Sequence, residues 1–105
     1  MSATATFLVL YSTPADPETF ERHYSDVHVP LTKALPGLRS YTLARQPRTI
    51  RGDACYLIAT LEWDTMTELQ AAFASPEGRA ATDDMATITQ LVEVRSMIYQ
   101  ATPPA

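Results

Sequence analysis

The chain has one cysteine, two histidines and three glycines in 105 residues, and each scarcity removes a class of chemistry. A lone Cys55 excludes an intramolecular disulfide and any cysteine-based metal spacing; its place in an apolar run reads as a buried, reduced core thiol. Three glycines, none suitably spaced, exclude a phosphate-binding glycine loop. Neither a nucleophile elbow nor a His-Glu-x-x-His pattern is present, and two histidines with one cysteine make no zinc site. No run is long enough to span a membrane. Phe7-Leu8-Val9-Leu10-Tyr11 is too short for that or for a secretion signal, so the expectation is a cytoplasmic protein with no membrane partner. A net charge of −4 with scattered arginines argues against nucleic acid, which needs clustered cations. Arg39, Arg45, Arg48 and Arg51 read as the solvated charges of a hairpin, or less simply as holders of an acidic ligand.

What is present is an ordinary globular composition, 46% hydrophobic and 19% charged, with no internal repeat. The length predicts a single domain over residues 1–105, with its core over about 4–99 and a flexible tail at 100–105. Residues 4–12 read as a strand that is apolar on both faces. Asp16 is placed to cap a helix and Pro17 to open it. That helix should run to about Leu35, with Phe20, Tyr24, Val27, Leu31 and Leu35 as its apolar stripe, a kink or break at Pro30 and a stop at Pro36-Gly37. Strands are expected at 38–46 and 54–63 around a loop at 47–53. A second helix follows, capped by Asp64 or Thr65 and interrupted at Ser75-Pro76-Glu77-Gly78, where Ser75 caps a further segment to about Thr89. The last strand falls at 91–99.

The order βαββαβ predicts an α+β fold of the ferredoxin-like kind: one antiparallel sheet with two helices on one face. Leucine, isoleucine and valine on both faces of the first and third strands leave the uncovered face apolar. A second copy packed sheet against sheet is the economical cover, so a homodimer is expected.

The chemically richest segment is Phe20-x3-Tyr24-x3-His28-x-Pro30-Leu31. Residues four apart stack along a helix side, so Tyr24 and His28 adjoin. By α-helical spacing His28 sits at the flank of the apolar stripe. An imidazole there is a general acid or base if it faces a cleft, and a structural tie if its ring binds carbonyls loosened by Pro30. Tyr24 either orients that imidazole and donates to a developing oxyanion, or is a core aromatic. His23 lies about 140° from His28 on an α-helix, which makes it a solvated residue and rules out joint chelation of a metal. Tyr11, Tyr41, Tyr56, Trp63 and Tyr99 are spread over the strands; Tyr11, Tyr41, Tyr56 and Trp63 are the candidate ligand-binding set, although each alone is more often a packing residue. Glu62, Glu93 and Arg95 read as solvated or interface charges.

The longer pattern, in which His28-x-Pro30-Leu31 leads to Pro36-Gly37-Leu38-x2-Tyr41, resembles the EthD family of the dimeric α+β barrel superfamily. Phe73-x-Ser75-Pro76-Glu77-Gly78-x4-Asp83 is similar to its second-helix region, and the resemblance spans roughly residues 5–99. It implies a ferredoxin-like protomer and a homodimer whose sheets form a barrel. It also implies company with cofactor-free monooxygenases, polyketide cyclases, dehydratases and muconolactone isomerases. The expectation is then a cofactor-independent enzyme in which His28 moves a proton beside the carbonyl of a small hydrophobic carbonyl or lactone metabolite, helped by Tyr24. The alternatives are a non-catalytic carrier of such a metabolite and a purely interacting dimer. Haem is conceivable only because His28 could be an axial ligand; no cofactor and no metal is expected.

Overall fold

The computed structural model describes residues 4–104. Its strands are β1 (Thr4–Tyr11), β2 (Ser40–Arg45), β3 (Leu57–Trp63) and β4 (Val94–Ala101). They form one antiparallel sheet in the order β2-β3-β1-β4, a ferredoxin-like topology. β4 begins later than the pattern suggested and runs further, pairing Gln100 with Ala5 and Ala101 with Thr4. The expected tail thus loses its first two residues to the sheet, and its last, residue 105, lies outside the described residues.

Period-two alternation sorts the side chains. On β3, Leu57, Ala59, Leu61 and Trp63 are buried while Ile58, Thr60 and Glu62 are half-buried. Register places Ala5, Phe7, Val9 and Tyr11 of β1 on the same face as the buried set. The helices lie over this face, with Phe73 edge-on to Phe7 at 5.0 Å and Phe20 beside Tyr11 at 5.6 Å.

The second helical arm has two pieces, α3 (Met66–Ala74) and α4 (Pro76–Leu91). Thr65 caps α3 through the Glu68 N–H, and Ser75 caps α4 through the Gly78 N–H. Gly78 is required at this corner, because a Cβ there would come within 2.3 Å of the Ala72 carbonyl oxygen.

The first arm, expected as a helix kinked or broken at Pro30, is irregular in the turn that precedes the proline. It comprises α1 (Pro17–His23), a π-helical turn (Tyr24–His28) and α2 (Val29–Lys33), with Asp16 capping α1. A proline at 30 has no N–H for the Asp26 carbonyl and would press on it in a regular helix. The chain meets it through the wider turn, in which Val29 donates to the Tyr24 carbonyl, five residues back. The added residue shifts the inward stripe. Phe20, Tyr24, His28, Thr32 and Leu35 are buried. The expected Val27 is 39% exposed and Leu31 only half-buried, which corrects the α-helical reading. Gly37, at φ +74, then ends the arm.

Cys55 is also corrected. It is half-buried, and its thiol points to the Leu57 carbonyl at 3.3 Å.

Candidate functional site

His28 is 6% exposed and sits within the stripe rather than at its flank. Its Nδ1 lies 2.9 Å from Oδ2 of Asp84 on α4. A carboxylate only accepts, so Nδ1 carries the proton and Nε2 holds the free lone pair. No hydrogen bond to Nε2 occurs among the described residues, and none of their buried polar side-chain atoms is left unpartnered. Nε2 therefore opens to the cleft that His28 lines. The ring is tied to a carboxylate, not to carbonyls freed by Pro30.

His23 reaches the same carboxylate. Its Nε2 lies 2.8 Å from Oδ1 and 3.0 Å from Oδ2 of Asp84. This overturns its reading as a solvated residue: its side chain is 22% exposed and bound to α4. Five residues put two side chains about 140° apart on an α-helix, but they span one turn of a π-helix. The wide turn is what lets both imidazoles meet Asp84.

The cleft lies between the helices and the covered sheet face and has a volume of about 470 Å³. Tyr11, Tyr24 and Tyr41 line it beside His28. The Tyr24 and Tyr41 hydroxyls are 2.7 Å apart, and the Tyr24 ring is centred 5.4 Å from the imidazole. Burial pushes all three hydroxyls above the ordinary tyrosine range, so they remain proton donors at neutral pH. Burial also lowers the His28 pKa against the upward pull of the Asp84 hydrogen bond, which keeps Nε2 unprotonated and basic. An unprotonated base and protonated phenols face one space, the arrangement a proton abstraction next to a carbonyl requires. Among the described residues no cluster of three or more histidine, cysteine or acidic side chains is placed to hold a metal ion.

The EthD domain model matches residues 12–91. The chain belongs to the EthD family. A relative in Rhodococcus erythropolis, an uncharacterised 11.0 kDa protein of the thcB–thcC intergenic region, is 38% identical over 80 residues, covering 74% of this chain and 77% of its own. An EthD-family protein of Bacillus halodurans C-125 has the same fold at 29% identity and a TM-score of 0.79, covering 94% of this chain and 99% of its own. SnoaB, a cofactor-independent oxygenase of Streptomyces nogalater, superposes with a TM-score of 0.69 over 96% of this chain and 95% of its own; at 18% identity that likeness is one of fold.

In this EthD chain the structure divides the candidate ligand-binding set. Tyr11 and Tyr41 line the cleft with His28 and Tyr24. Tyr56 does not, because its hydroxyl donates to Glu21 at 2.8 Å, where Arg45 also binds at 2.7 Å. Trp63 does not either: it is fully buried and donates its indole N–H to the Pro36 carbonyl at 2.9 Å. Both hold the fold around the site. Arg39 pairs with Asp64 at 3.0 Å.

Asp84 was missed. A signal for it exists, since Gly78, Ala81 and Ile88 form the buried side of α4 and Asp84 falls three residues after Ala81 and four before Ile88. An acid inside an apolar stripe needs a buried partner.

Proposed function

We propose that this EthD protein is a cofactor-independent proton-transfer enzyme acting on a small hydrophobic carbonyl or lactone metabolite. One observation carries the reading: Asp84 fixes the His28 tautomer so that a basic Nε2 faces a tyrosine-lined cleft. His28 removes a proton from the carbon next to the carbonyl. The carbon–hydrogen electrons form the enolate, and its oxygen accepts a hydrogen bond from the Tyr24–Tyr41 pair. Protonated His28 returns the proton at the same or another position, which gives exchange, isomerisation or, where a leaving group is adjacent, dehydration. No oxidant or cofactor enters the balance.

The active form in this reading is a homodimer. Leu8, Leu10, Ile58, Met97 and Tyr99 share the uncovered sheet face by register, with Met97 47% and Tyr99 40% exposed. A second copy packed on that face removes this apolar surface from water.

The test is solvent-deuterium incorporation next to the carbonyl in a panel of small apolar ketones and lactones. The wild type should accelerate it, and His28→Ala should reduce the acceleration by about 10²-fold or more. A ketone bound equally by both proteins and exchanged by neither would instead make the protein a carrier.

A further inference from the structure

The walls of the cleft narrow the class of molecule it accepts. None of the lining residues is lysine or arginine. The two nearby arginines that bind acids do so at the surface, Arg39 on Asp64 and Arg45 on Glu21. The charged group that does lie close is Asp84, whose carboxylate stands 2.9 Å behind the His28 ring. A carboxylate or phosphate on the ligand would lose its water, meet no cation and face that like charge.

The Tyr24–Tyr41 pair, with the Tyr11 hydroxyl beside it, supplies the phenolic donors of the cleft, and one O–H of the pair is used on the other hydroxyl. His28 Nε2 supplies an acceptor beside it. A phenolic donor beside a base matches a carbonyl oxygen with its neighbouring C–H. Away from this corner the walls are mostly hydrocarbon, with Phe7, Phe73, Met85 and Ile98 among them and Gln70, Thr82 and Ser96 as uncharged polar exceptions. A volume of about 470 Å³ falls within the range of sites for medium-sized organic ligands and exceeds what one small ring fills.

We infer that the cleft selects an uncharged ring ketone, or its enol, of two or three fused rings, with one oxygen seated between the Tyr24–Tyr41 pair and His28, and that it rejects carboxylated relatives of the same size. This rests on the proton-transfer reading for the placing of the oxygen, but its selectivity is measured by binding alone.

The matched probes are 2-tetralone and 2-naphthoate, two bicyclic molecules that differ in charge, titrated into the wild-type protein near pH 8. The ketone should bind at least ten-fold more tightly. Introducing a cation into the wall, as Thr82→Lys and separately Gln70→Lys, should strengthen 2-naphthoate relative to the ketone by ten-fold or more in whichever variant stays folded by circular dichroism. Equal or tighter binding of 2-naphthoate by the wild type, or no binding of 2-tetralone at millimolar concentration, overturns the inference. Deuterium incorporation into 2-tetralone is followed separately. Selective binding without accelerated exchange leaves the ligand class standing and removes the proton-transfer reading; accelerated exchange with no selectivity does the reverse.

Discussion

The two faces of the sheet are built from the same strands but do different work. On the covered face, Leu57, Leu61 and Trp63 of β3 are almost fully buried, and Tyr11 of β1 joins Tyr24, Tyr41 and His28 around a cleft. On the other face the same strands show Leu8, Leu10 and Ile58, with Met97 and Tyr99 half-exposed alongside. Polar groups on the covered face have fixed partners: Trp63 with a carbonyl, Tyr24 with Tyr41, His28 with Asp84. The open face offers area and little direction, apart from the Ser40–Glu62 hydrogen bond at 2.9 Å. Alternation along a strand thus gives one face to polar groups with fixed partners and the other to open apolar area.

Substitutions on the two faces test that division. The largest effect is expected for Trp63→Ala, which empties a large buried site and orphans the Pro36 carbonyl; it should lower unfolding stability in urea by about 3–5 kcal/mol. Next is Asp84→Asn. An amide holds the His28 ring less firmly, and activity should fall on the order of 10²-fold while the fold persists. The same change removes the carboxylate that raises the His28 pKa, so an NMR titration should find His28 titrating lower than in the wild type. An unchanged titration would mean that the carboxylate is not what sets the base.

On the open face, Leu10→Glu places a charge in the proposed interface. Sedimentation should show the dimer dissociating at concentrations at least ten-fold above those for the wild type, with little loss of stability in the protomer. A monomeric wild type would sink the self-association half of the comparison.

The smallest effect is a pH slope. Burial holds the His28 pKa below its ordinary value of about 6.5, which applies in the unfolded chain. The unfolded chain therefore binds more protons as pH drops through about 6.5, and stability declines until the lower folded value is passed. Above that window His28 contributes no slope. The decline below about pH 6.5 should be shallower in His28→Gln, measured by denaturant unfolding at each pH.

Much of this architecture was legible in the sequence because it follows from short-range rules. Alternating residues in TATFLVLY, the caps at Asp16 and Ser75, and the Pro36-Gly37 stop are local signals, and each sits where the pattern places it. The site was legible only in part. His28 and Tyr24 stood out by residue type and spacing, but their surroundings depend on which residue of α4 reaches back across the helices, 56 positions further on. Regular helical spacing also gave the wrong inward stripe. It favoured Val27 and Leu31 because they are apolar, whereas the wide turn buries His28 and Thr32. Tyr56 and Trp63 stand out as polar-tipped aromatics, and residue type does not reveal that their polar ends are already bound.

The π-turn amounts to an inserted residue, and it sets the two demands on this helix against each other. Wound as a regular α-helix, the same sequence would turn Val27 and Leu31 inward and carry His28 away from Asp84. That regular helix would hold a more conventional hydrophobic core and have no organised base. One extra residue taken up in a single turn therefore separates an inert scaffold from one that brings His28 to Asp84.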